Sequence, residues 1–151
     1  MFVLVVDFAN LLLAALVVGA LFGARLFLNP VGLDASLYVA VQQQAIRTMN
    51  TVMPALGSAT ILVTIAAAVL GRGERVRLWL LVLTAACFLA IGLVTRFRNQ
   101  PINAMVMTWR GDSAPSNWTV LRDEWWRWHL MRLATGLVGL SLLIAAALRR
   151  G

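Results

Sequence analysis

LWLLVLTAACFLAIGLV, residues Leu78–Val94, carries no charge and ends at Arg96 and Arg98. Such a run is close to what an α-helix needs to cross the hydrocarbon core of a bilayer. Three more apolar runs flank it. The spans they imply cover approximately residues 2–24, 53–70, 78–97 and 132–149, a single integral membrane domain over 1–151. The chain is 61% hydrophobic and only 13% charged, with a mean hydropathy of +0.83. A soluble protein of this size could not hide that much apolar surface, so the bilayer is the expected partner. All thirteen basic residues are arginine, and they cluster at the ends of the apolar runs. That placement points to headgroup anchoring and away from nucleic acid. Cys87 is the only cysteine and lies within an apolar run, which excludes a disulfide framework and a Cys-based metal site.

The first run lacks a basic n-region and a clear cleavage site, and reads as a retained span. Ala15, Gly19 and Gly23 step by four, a spacing that lets helices approach closely in lipid and also offers a face for a homo-oligomer. Asp7 has two readings: a charge at the helix start near the interface, or part of a polar site in the bundle interior. Asn29-Pro30 breaks the chain, and Asp34 or Ser36 could cap a new helix beyond the break. In Leu37–Asn50, the residues Gln43, Arg47 and Asn50 share one helical face. Two outcomes fit: a solvated interfacial continuation of the next span, or a polar roof over a cavity in the bundle. Gly71–Arg77 is a short charged turn.

Between the third and fourth runs lies the polar stretch Arg96–Arg132. It holds six of the thirteen arginines, five of the six tryptophans and the only histidine. Pro101 should push Gln100 out of helical geometry and open a new helix that Asn99 caps. That leaves Asn103 unexplained and available for binding. Gly111–Asn117 is a loop by composition, with a second helix beginning near Trp118 or Thr119. On that helix Trp125, His129 and Arg132 share one face, as do Arg122, Trp126 and His129. An interfacial aromatic belt accounts for some of the tryptophans. His129 is either a solvated interfacial residue or the natural proton acceptor of a site. No second His stands three or four residues away, so a metal is disfavoured though not excluded. The fold class is all-α: a four-transmembrane-helix bundle with short amphipathic, interfacial helices between spans 1–2 and 3–4.

At these residues the chain resembles the anthrone oxygenase family. The likeness rests on Asn99-x-Pro101-x-Asn103 after the third span, on Trp118…Arg122-x-x-Trp125-Trp126-x-Trp128-His129-x-x-Arg132, and on four spans in 151 residues. Members commonly carry Asn at the position matched to His129, so this His is a departure. The resemblance implies O2-dependent oxidation of an anthrone-type hydrophobic aromatic to a quinone, without a flavin or haem motif. Such chemistry needs a base, cations for the resulting anion, and flat apolar walls. His129 or Asp123 could supply the base, and Arg96, Arg122 or Arg132 could stabilise an oxyanion. Trp125, Trp126 and Trp128 could stack on the rings, and Asn99 and Asn103 could hydrogen-bond substrate oxygens.

The competing reading is a non-catalytic membrane protein that binds a lipid or small molecule, or an assembly subunit. The two separate on geometry: convergence of Asn99, Asn103, Arg122 and His129 on one cavity marks a site, and splaying toward lipid headgroups marks an interfacial role. Four spans put both termini and the Arg72–Arg77 turn on one side. The orientation expected is termini in the cytoplasm at the cell membrane, with the arginines of the long stretch folded into a cap.

Overall fold

The computed structural model describes residues 1–111 and 113–149. Asp112 in the expected loop and Arg150 at the end of the last span lie outside the described residues. The chain forms α1 (Phe2–Phe27), α2 (Ala35–Leu70), α3 (Arg75–Val94), a π-helical turn at Thr95–Asn99, α4 (Gln100–Val106) and α5 (Trp118–Leu148). Four helical segments are each long and apolar enough to cross a membrane: α1, α2, α3 through α4, and α5. They form a four-membered ring, with α1 packed on α2 and α5, and α3 packed on the same two. Contacts between the start of α1 and the starts or ends of its neighbours fix an up-down-up-down course. Asn10 near the start of α1 bonds Thr64 near the end of α2, and Asp7 meets Arg77 at the start of α3.

Among the described residues the expected separate interfacial helices are not seen. Residues 37–50 are the opening turns of α2, which runs unbroken for 36 residues through Pro54. The segment after the third span is likewise continuous with it. Pro101 does not expel Gln100, whose φ and ψ are −63° and −38°. The π turn absorbs the proline instead: the Gln100 N–H reaches back five residues to the Thr95 carbonyl. Asn99 makes no capping bond; its Nδ2 donates to the Trp125 carbonyl on α5 at 3.0 Å.

At about 1.5 Å per residue, α2 is roughly 54 Å long, against a hydrocarbon core of about 30 Å. The excess length of α2, α4 and α5 gathers at one end of the bundle and builds a second apolar core. Tyr38, Val39, Ile46, Ile102, Val106 and Trp125 are buried there. The first core, around Ala14, Val17, Leu81, Phe88 and Leu143, fills the rest of the bundle. Gln43 ties the extension together, its Nε2 donating to the Val106 and Trp109 carbonyls at 2.9 Å each. This satisfies backbone acceptors where α4 ends. Asp34 caps α2. The Leu37 N–H and the Ser36 hydroxyl, each 2.8 Å from Asp34 Oδ1, hold its carboxyl below the usual range. The cap is therefore charged at neutral pH, and its contribution fades as pH falls through that lowered value.

Within the chain, the glycines of α5 and not the Ala15–Gly19–Gly23 step bring helices together. A Cβ at Gly19 or Gly23 would meet nothing within 4 Å, and Ala15 and Gly19 face outward. Gly136 and Gly139 are the close approaches, where a Cβ on Gly139 would stand 3.0 Å from Cys87 Cβ on α3. Asp7 does not cap α1. It receives two hydrogen bonds from Arg77 Nη2, at 2.9 and 2.8 Å, across the diagonal of the ring. Both side chains are almost fully covered.

Unfolding of the detergent-solubilised protein should report on both contacts. Asp7→Ala strands a buried guanidinium and should cost about 3–5 kcal/mol, most of which an Asp7→Leu/Arg77→Met pair recovers. Gly139→Leu overfills the α3–α5 contact and should cost about 1–3 kcal/mol.

Candidate functional site

A cavity of about 340 Å³ lies where the two cores meet. Its walls come from the last turns of α1, residues 42–54 of α2, Thr95 and Asn103 around the π turn, and the third to fifth turns of α5. Thr95 and Asn103 would stand about 80° apart around a plain α-helix; the extra residue of the π turn brings them within about 20°. The lining is mostly aliphatic and aromatic. Exposed Phe27 and Met49 stand among it, so the cavity opens outward between α1 and α2 past apolar side chains.

Three residues of α5 reach this cavity: Trp125, His129 and Arg132. The Arg132 guanidinium is held on two sides. Its Nη1 donates to Thr95 Oγ1 at 3.1 Å, and its Nη2 contacts His129 Nδ1 at 3.1 Å. Thr95 in turn donates to the Ile91 carbonyl at 2.8 Å, which fixes its oxygen as the acceptor for Arg132. The guanidinium also sits 5.9 Å from the centre of the Trp125 ring. Among the described residues no carboxylate pairs with it.

His129 is buried, with 1% of its surface exposed. Its ring stacks on Trp125 at 5.4 Å and 1°, and on Trp126 at 5.2 Å and 15°. Arginine only donates, so Nδ1 must carry the lone pair and Nε2 the proton. Nε2 is buried and meets no hydrogen-bond partner among the described residues. The only imidazole of the chain is therefore neutral and oriented by Arg132.

Of the other residues singled out from sequence, Asn103 lines the cavity, and its Oδ1 accepts from Trp125 Nε1 at 2.8 Å. Asn99 is buried behind Trp125 and braces that residue's backbone. Trp126 backs His129 and carries Arg25 over its outer face at 5.4 Å. Arg122 and Asp123 do not join this group, so of Asn99, Asn103, Arg122 and His129 only Asn103 and His129 line the cavity. Arg122 and Asp123 pair with each other at 2.8 Å, with Asp123 exposed and Arg122 lying over Trp118. Trp128 is held by Glu124 and Arg98. Arg96 is exposed and lines a smaller neighbouring recess, which shares Ile46, Asn50 and Asn103 with the main cavity. No three His, Cys, Asp or Glu side chains gather into a metal-binding group among the described residues.

Sequence reasoning missed Thr95, which has no periodic signal and precedes a more conspicuous arginine. It also missed Gln42. The helical face Gln43–Arg47–Asn50 drew attention, yet Gln42 is the buried glutamine on the cavity wall. The spacing of Gln42 from Ile46, Met49 and Met53 is the signal that could have found it.

A family model described as Anthrone oxygenase matches residues 43–142. The chain belongs to the anthrone oxygenase family. No curated protein and no solved structure matches it. The segment matched to the anthrone oxygenase family contains Thr95, Asn103, Trp125, His129 and Arg132. The α1 wall and Gln42 lie before it.

Replacing Thr95 by Val keeps its shape but removes an acceptor from a covered arginine. The cost should be about 1–3 kcal/mol, read as a lowered denaturation midpoint of the solubilised protein.

Proposed function

We propose that this protein is a membrane-embedded oxygenase of the anthrone type, acting on a flat hydrophobic aromatic in the cavity beside Arg132. The observation that carries the reading is a guanidinium on an apolar, Trp-walled cavity with no carboxylate partner among the described residues. A cation so placed is complementary to an anion that the ligand brings. An anthrone that loses a ring CH2 proton gives an aromatic enolate with its negative charge on oxygen. Arg132 is suited to hold that oxygen, with Thr95 and His129 fixing its guanidinium. The Trp125 face offers a stacking surface. Asn103 and Gln42 offer amide groups to further ring oxygens.

The overall change is anthrone plus O2 to anthraquinone plus water. The enolate carbon forms a bond to oxygen, giving a peroxide at the ring carbon. Loss of water breaks the O–O bond, leaves one oxygen as the new carbonyl and carries the other away. The anion supplies the electrons, and O2 is the oxidant. The site favours the enolate over the neutral anthrone, because only the charged state gains the contact with Arg132.

The outward opening past Phe27 and Met49 suits a substrate dissolved in the bilayer. We further propose the cell membrane as the site of action, with both termini in the cytoplasm.

The test is oxygen uptake by the purified full chain in detergent with anthrone as substrate. Uptake above the spontaneous rate is expected, with kcat/KM about 10²–10³-fold lower in Arg132→Gln, the scale for loss of one oxyanion-stabilising group. Tight binding of anthraquinone without any uptake would instead assign a non-catalytic binding role.

A further inference from the structure

The oxygenase reading leaves open where the substrate's proton goes, and the cavity bears on this. No Asp or Glu lines the main cavity or the recess beside it among the described residues. Asp123 is exposed and paired with Arg122, while Glu124 accepts from Trp128. The one imidazole is not a free acceptor. Its Nδ1 lone pair faces Arg132 Nη2, and its Nε2 must carry the proton. Thr95 is engaged as donor to Ile91 and acceptor from Arg132. The remaining polar groups on the walls are the amides of Gln42, Asn50 and Asn103, which are not bases.

The charged groups around this space are cations from every element that supplies one. Arg132 comes from α5, Arg96 from the π turn at the adjoining recess, and Arg25 from α1 over the outer face of Trp126. From α2 and α4 the lining residues are uncharged. An apolar-walled site with a cation and no proton acceptor discriminates by ligand charge, because apolar walls weaken the screening that water would give.

We propose that the site takes its aromatic ligand as a preformed anion, a phenolate or enolate, with Arg132 as counter-cation and with no protein group acting as the base. The proton is lost to water before the ligand enters, and the ligand's own acidity decides what the site accepts. This inference rests on the proposed function only for the location of the site. It extends that reading by naming the ionised aromatic acid as the ligand class. His129 becomes a positioning residue for Arg132.

The experiment uses 2-hydroxyanthraquinone, whose phenol and phenolate differ in colour, titrated from acid to alkaline pH with the full chain in detergent. The reference is the same dye in micelles without protein. The bound dye should ionise at a pH at least about one unit lower than in empty micelles, a tenfold change in ionisation constant. Arg132→Lys, which keeps a cation, should retain a lowered value; Arg132→Gln should lose it. Thermal unfolding of both variants shows whether they are folded. An unchanged or raised ionisation pH in the wild-type protein overturns the proposal. So does a depression that survives in folded Arg132→Gln, or failure of the dye to bind the wild-type chain. The titration needs no turnover, so the two readings fail separately. Phenolate binding without oxygen uptake removes the oxygenase and keeps the anion site. Oxygen uptake with a dye bound in its neutral form does the reverse.

Discussion

In hydrocarbon a backbone N–H or C=O has no water to bond, so each must find a partner inside the protein. The shape of this molecule stems from that constraint. Two prolines fall inside segments that must stay helical. Pro54 is carried within α2, on a stretch that lines the cavity, and has no N–H to offer the Asn50 carbonyl. Pro101 is accommodated by widening the preceding turn to π geometry. The widened turn changes the helix face presented beyond it, and so brings Thr95 and Asn103 together on the cavity wall. The helix length in excess of the hydrocarbon core continues beyond the first core, where it closes the second.

The site is thus a product of helix continuity. Thr95 lies at the start of the π turn, Arg132 lies on α5, and their hydrogen bond joins two helices that also pack on each other through Gly136 and Gly139. Trp125 is held by Asn103 through its indole N–H and by Asn99 through its carbonyl. Its ring plane is therefore set from two positions on one neighbouring helical segment. His129 stacks on that ring and receives Arg132. Each member of the group fixes the next, and rigid placement of a cation is what electrostatic stabilisation of an anion requires.

The opposite end of the bundle uses charge differently. Arg77 and Asp7 neutralise each other across the ring diagonal, and Asn10, Thr60 and Thr64 continue a polar line beside them. A Cβ at Gly71 would collide with the Arg77 guanidinium, so the turn that begins α3 is shaped to admit it. Here the cation has its carboxylate and the contact fastens helices. At Arg132 the carboxylate is missing among the described residues and the cation faces a cavity. Two inward-held arginines, Arg77 buried and Arg132 half-buried, therefore serve unlike ends, and the difference lies in their partners.

The sequence by itself determined the four helices, the charged turn between α2 and α3, the start of α5 at Trp118, and the segment holding the site. Those features are local: a run of apolar residues, a glycine-rich turn and a cluster of Trp and Arg each report on a few neighbouring positions. It also put Trp125, His129 and Arg132 on one face, because helical periodicity is a local rule as well. Tertiary structure decided the pairings. Nothing local distinguishes Arg77 from Arg75, yet only Arg77 is covered and meets Asp7. Nothing local separates Asn103 at the cavity from Asn99 behind Trp125, or sends Asp123 outward to Arg122. Those outcomes depend on helix rotation and on the π turn, which shifts one face relative to another. Rotation is set by packing between residues far apart in the chain, where single-helix periodicity carries no information.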